Sequence, residues 1–130
     1  MRIVVGYDGS HFSKEAVKVA RRRAKESNAQ MYVVTSMAKG EDKQQLDIEE
    51  AEKGLQHVKS LFDADKTPCE VHLLIHGLSP GEDIVDFAEA QKADEIIIGV
   101  RKRSKVGKLL FGSTAQFIIL EAHCPVLCVR

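Results

Sequence analysis

Short apolar runs alternate with amphipathic stretches along the whole chain, and this alternation constrains its fold more than any other feature. Arg2–Gly6 (RIVVG), Gln30–Ser36 (QMYVVTS), Cys69–Ile75 (CEVHLLI), the segment Ala93–Gly99 (ADEIIIG) and Val126–Val129 (VLCV) each read as a strand or contain one. Their runs of three or four consecutive apolar residues fit strands covered on both faces, as in a parallel sheet.

The intervening segments have helical period. The first helix should start at Ser10 or Ser13, both plausible N-caps, and run to about Ser27. Its inward face would carry Ala16, Val17, Ala20 and Ala24, with Arg21, Arg22, Arg23 and Lys25 near the C-terminal end, where the helix dipole favours cations. After Lys39-Gly40-Glu41-Asp42, a polar helix from about 42 to 63 would turn Leu46, Ala51, Leu55, Val58 and Phe62 inward. In the third helix Ser79 is the expected N-cap, Pro80 takes the first position, Glu82 completes a capping box, and Ile84, Val85, Phe87 and Ala88 supply the apolar face. The fourth opens at Gly112-Ser113-Thr114, carries Ala115, Ile118, Ile119 and Ala122 inward, and stops at Pro125.

Strands alternating with helices predict a single doubly wound α/β domain over residues 1–130, a five-stranded parallel sheet with helices on both faces. Right-handed crossovers leave few strand orders. The order 3-2-1-4-5 places a ligand crevice at the switch point between strands 1 and 4.

Composition narrows the function. A length of 130 residues suits one domain, and 44% apolar residues without Trp predict an aliphatic core. Lys plus Arg balance Asp plus Glu at 19 each, so net charge argues against a specific nucleic-acid partner and against a membrane-surface role. No apolar run approaches the roughly 18 to 20 residues that span a bilayer. The first strand starts almost at Met1, which leaves no room for the basic and apolar regions of a signal peptide. Cys69, Cys124 and Cys128 form no C-x2-C pair, and the expectation is a cytoplasmic protein with reduced, packed thiols. His11, His57, His72, His76 and His123 lack metal-ligand spacing, although His76 follows strand 3 closely enough to reach a pocket rim. No P-loop, Rossmann glycine motif or nucleophile elbow is present.

The connection between Gly99 and Gly112 is the most informative stretch. Twelve residues separate these glycines, where about 2 to 6 are usual. It holds Arg101, Lys102, Arg103, Lys105 and Lys108, contains no acid, and ends on Gly112-Ser113-Thr114 at a helix start. Free N–H groups and the dipole favour an anion there, glycines admit close approach, and the Ser113 and Thr114 hydroxyls can bond phosphate oxygens. The alternative is a solvated basic loop with Ser113 as a plain N-cap. Asp8, at the end of strand 1, can accept from a ribose hydroxyl or an adenine amino group, or can be an Asx-turn residue that starts the next helix. For Asp8 both readings stay open.

Ile3–Ser10 (IVVGYDGS), Ala93–Gly99 (ADEIIIG), Gly112–Gln116 (GSTAQ) and Ala122–Leu127 (AHCPVL) together resemble the universal stress protein (UspA) family, in the right order over essentially the whole chain. The resemblance implies the 3-2-1-4-5 sheet of the adenine nucleotide alpha hydrolase-like fold. It also implies a homodimer paired through Val126–Val129. The nucleotide-binding branch carries G-x2-G-x9-G-[ST]; here Gly99, Lys102 and Gly112-Ser113 keep the register, but Lys102 replaces the second glycine. By resemblance the ligand is ATP, with Mg²⁺. Asp8 would face adenine or ribose, Tyr7 and Ser36 would line the base, and Gly99, Arg101, Gly112, Ser113 and Thr114 would surround ribose and phosphates. Lys102 leaves two outcomes: its Cβ blocks close approach, or its ammonium substitutes a charge for a backbone contact. Arg101 and Arg103 favour retained binding. The leading expectation is therefore an ATP-holding stress-response dimer without a catalytic residue. Its rivals are a nucleotide-free stress protein acting through protein contacts, and a slow ATPase or autophosphorylating protein with Ser113 or Thr114 as acceptor.

Overall fold

The computed structural model describes residues 1–37, 44–101 and 112–130. Its strands are β1 (Arg2–Gly6), β2 (Gln30–Ser36), β3 (Cys69–Leu74), β4 (Glu95–Gly99) and β5 (Val126–Val129); its helices are α1 (His11–Ser27), α2 (Gln44–Ala64), α3 (Pro80–Ala90) and α4 (Ser113–Glu121). The strands form one parallel sheet, as the alternation of segments predicted, in the order β3-β2-β1-β4-β5 that the family resemblance implied.

Strand side chains alternate between faces, so each central strand feeds two cores. Ile3, Val5, Met31, Val33 and Ile97 pack with Ala16, Val17, Ala20 and Ala24 of α1 and with Leu55, Val58 and Phe62 of α2. Val4, Tyr32, Val34, Ile96 and Ile98 pack with Ile84, Val85 and Ala88 of α3 and with Ala115 and Ile118 of α4. Helices α1 and α2 thus cover one face, α3 and α4 the other. The inward stripe predicted for α2 is buried at Leu55, Val58 and Phe62 and half-buried at Ala51, while the Leu46 side chain and the turn at 39–42 fall outside the described residues.

Two local expectations are corrected. Ile119 is 41% exposed and its neighbour Leu120 is 78% exposed. With nine residues, α4 presents only a narrow stripe to the sheet, and Phe117, half-buried against the α3–α4 core, takes the place foreseen for Ile119. The α3 cap also differs in detail. Ser79 Oγ accepts from the Glu82 N–H at 3.4 Å, but the Glu82 carboxylate receives the Ser79 hydroxyl at 2.9 Å rather than a backbone N–H. At α1 the N-cap is Ser10, whose side chain accepts from Ser13 N; Ser13 is buried in the first turn and donates its hydroxyl to Ser10 O at 3.0 Å.

Candidate functional site

The carboxyl ends of β1, β2 and β4 meet the N-termini of α1, α3 and α4 around a cleft of about 280 Å³. Backbone pairing continues just past the strands and holds its floor: Tyr7 N donates to Val34 O at 2.8 Å, and Thr35 Oγ1 donates to Tyr7 O at 2.7 Å. Tyr7, Asp8, Ser36, Gly99, Arg101, Gly112 and Thr114 all line this cleft. Ser113 does not, because it is exposed in the first turn of α4 and lies outside the lining. Lys102, Arg103, Lys105 and Lys108 lie outside the described residues.

Asp8 is exposed and lies two residues past the end of β1. Its Oδ1 accepts from the Ser10 N–H at 2.9 Å, an Asx turn that leads into α1. Burial pushes the Asp8 carboxyl up, but hydrogen bonds from Ser10 and Ser13 outweigh it and hold the group below the ordinary aspartate range. Asp8 therefore serves the turn while it faces the cleft as an anion at neutral pH. Tyr7 beside it is 8% exposed, and burial, helped by the Asp8 charge, pushes its phenol up, so it stays a neutral hydrogen-bonding group.

The two bracketing glycines behave differently. A Cβ on Gly99 would lie 2.2 Å from Phe12 O and 2.7 Å from Ser13 N. The first turn of α1 occupies that space, so glycine is required there by packing. At Gly112 no described atom lies within 4 Å of a Cβ, and φ is −65°, which any residue adopts. Gly112 is the N-cap of α4 and, having no side chain, makes no cap hydrogen bond. The first intrahelical bond runs from Gln116 N to Gly112 O at 3.0 Å, so the preceding N–H groups gain no bond from within the helix. The plain-cap reading of Ser113 is thus replaced: Ser113 is the first helical residue. Arg101 brings a cation to the same cleft, with its Cζ 5.4 Å from the centre of the Phe12 ring.

The family model described as "Universal stress protein family" matches residues 1–130. A universal stress protein of Methanocaldococcus jannaschii is 36% identical over 99% of this chain and 81% of its own length. Among solved structures, a universal stress protein from Archaeoglobus fulgidus superposes with a TM-score of 0.89 at 40% identity, covering 100% of this chain and 98% of that one. A second structure from Archaeoglobus fulgidus, in complex with dAMP, gives a TM-score of 0.83 at 35% identity and covers the same shares.

The chain belongs to the universal stress protein family.

In this universal stress protein, sequence reading missed several contributors to the cleft. Ser10, Ser13, Pro80, Ile84 and Ala115 line it because the N-termini of three helices converge there. It also missed Asp83, in the first turn of α3, which accepts the Ser36 hydroxyl at 2.6 Å and lies 3.0 Å from His76 Nδ1. A signal existed: Asp83 stands four residues before Phe87, on the flank of the apolar face of α3. His76 itself is largely exposed and meets the site through Asp83. Among the described residues no group of three or more His, Cys, Asp or Glu is placed to hold a metal ion, and no helix is long and apolar enough to cross a membrane. All three cysteines are free and half-buried, and burial pushes each thiol up, Cys69 to about 12, which leaves them as packing groups.

Proposed function

We propose that this universal stress protein binds an adenine nucleotide, ATP in the cell, in the cleft at the ends of β1, β2 and β4, and that it works as a homodimeric stress-response module in the cytoplasm. The observation that carries the reading is the start of α4: a helix N-terminus without a side-chain cap opens on the cleft at a glycine that nothing described in the protein requires. Such a terminus is a site for phosphate. Arg101 adds a positive charge, and Thr114 adds a hydroxyl. Tyr7, Asp8 and Ser36 then remain for base and ribose, and the relative solved with dAMP supports an adenine base. A Mg²⁺ ion would arrive with the nucleotide, held by phosphate oxygens and water. The nine positions proposed for the ligand are Tyr7, Asp8, Ser36, Gly99, Arg101, Lys102, Gly112, Ser113 and Thr114.

Calorimetric titration of MgATP into the wild type and into Gly112→Val tests the reading. A Cβ at Gly112 meets no described atom within 4 Å, so Val is placed to fill the phosphate approach, and circular dichroism of the variant verifies its fold. Binding by the wild type that Gly112→Val abolishes is the expected result. Absence of wild-type binding at millimolar ATP, with the protein folded, overturns it in favour of a nucleotide-free stress protein.

A further inference from the structure

Asp83 is the most deeply buried carboxylate among the described residues, at 1% exposure, and the nucleotide reading gives it no task. Both of its oxygens have partners. Oδ2 accepts from Ser36 Oγ at 2.6 Å, the length of a charge-assisted O–H···O⁻ bond, and Oδ1 lies 3.0 Å from His76 Nδ1. The residue sits in the first turn of α3, where the helix dipole favours an anionic side chain. Ser36 lies between this carboxylate and the cleft that it lines.

A serine hydroxyl has one proton and two lone pairs. Donated to Asp83, that proton is no longer available to a ligand, and Ser36 Oγ can only accept. A ligand group placed against it must be a hydrogen-bond donor; an acceptor there meets a lone pair. With phosphates drawn to the α4 terminus and Arg101, the ligand's base falls at the β1 and β2 end of the cleft, where Ser36 is. We infer that Asp83 is a positioning residue that makes Ser36 an acceptor-only group, so that the cleft selects a purine bearing an amino group at C6 over one bearing a carbonyl. The inference rests on the nucleotide reading above and adds the origin of base selectivity to it.

ATP and ITP are the appropriate probes, because ITP replaces the C6 amino group by a carbonyl oxygen and protonates N1. Each is titrated with Mg²⁺ into the wild type, Asp83→Asn, Ser36→Ala and the double variant. The wild type should prefer ATP by about tenfold, the scale of one mismatched polar contact. Asp83→Asn is nearly isosteric, and its amide can donate to Ser36 Oγ and release the serine proton, so the preference should fall towards parity. Ser36→Ala should lose the same preference, and Asp83→Asn should change it no further in the Ser36→Ala background, which a merely structural carboxylate would not produce. An unchanged ATP-to-ITP ratio in either single variant, with both affinities falling together, overturns the inference. Equal wild-type affinities overturn it while leaving the nucleotide reading intact, and failure of the wild type to bind either nucleotide overturns both.

Discussion

Gly99 and Gly112 are the same residue type under different demands, and substitution separates them. Gly99→Ala drives a methyl group into the Phe12 carbonyl, 2.2 Å away, so either β4 or the first turn of α1 must move. A loss of about 1–3 kcal/mol is expected, by analogy with overpacked cores, and a urea unfolding midpoint measured without nucleotide reads it directly. Gly112→Ala meets open space at an ordinary φ, and its cost should stay within about 1 kcal/mol, the scale of an N-cap change. Its effect should appear in ATP affinity instead. Stability falling at Gly112 as far as at Gly99 would show that the α4 terminus, too, is shaped by packing. From the sequence these two glycines look alike as brackets of one basic loop. Their difference depends on Phe12, far from both in sequence, and no local pattern encodes that neighbour.

At the scale of elements, α1 is the strut of the site, and it is fixed at both ends. Ser10 caps its start below Asp8, while Arg21 and Arg23 anchor its other end through paired hydrogen bonds to Asp65 and Glu95. The basic residues near that end do more than complement the helix dipole, since Arg21 holds Asp65, just past α2, and Arg23 holds Glu95 of β4. Hydrogen bonds from Arg21 hold the Asp65 carboxyl below the usual aspartate range against the opposing effect of burial, with the charges of Arg21 and Lys25 adding to them. A depressed folded-state pKa stabilises the protein above the unfolded value of about 3.9, and that contribution is lost as the pH falls through the folded value. Asp65→Asn should therefore be less stable than the wild type by a constant margin at neutral pH. The margin should shrink as the pH drops below about 4. Urea midpoints of both proteins across that range provide the check, and a margin independent of pH would mean that the pair contributes only through packing. Helical period predicted the four buried apolar residues of α1, Ala16, Val17, Ala20 and Ala24, but not the buried Ser13. It could not predict the ion pairs, because Asp65 and Glu95 are brought to α1 by the order of the strands.

At the scale of the whole molecule, the sheet formed by the described residues has two edges, β3 and β5. Pro125 O and Val129 O accept from Ile96 N and Val100 N of the neighbouring strand, so by alternation the N–H and C=O groups of Val126 and Cys128 point away from the sheet. An apolar edge of this kind invites a second chain. The preceding helix also leaves Ile119 and Leu120 uncovered. If the proposed dimer pairs through Val126–Val129, sedimentation equilibrium should give a mass twice that of the chain. Cys128→Pro, which removes an outward donor that the sheet does not use, should shift the protein to monomer while circular dichroism stays unchanged. A dimer that survives this substitution would assign the contact to another surface.

By itself, the sequence determined the strands, the helices, the parallel sheet and, Ile119 and Phe117 apart, the apolar residues that it placed towards the two cores, because hydrophobic period and caps are local properties that burial then reinforces. It also carried enough family pattern to collect Tyr7, Asp8, Ser36, Gly99, Arg101, Gly112 and Thr114 as members of one cleft. Only the tertiary structure decided what surrounds each of these positions. Gly99 yields to a helix turn, Gly112 leaves a helix end uncapped, Ser113 falls outside the cleft lining, and the Ser36 hydroxyl donates its hydrogen bond to Asp83. These outcomes depend on approaches of a few ångströms between segments 40 to 90 residues apart, and such distances are set by how helices settle on the sheet.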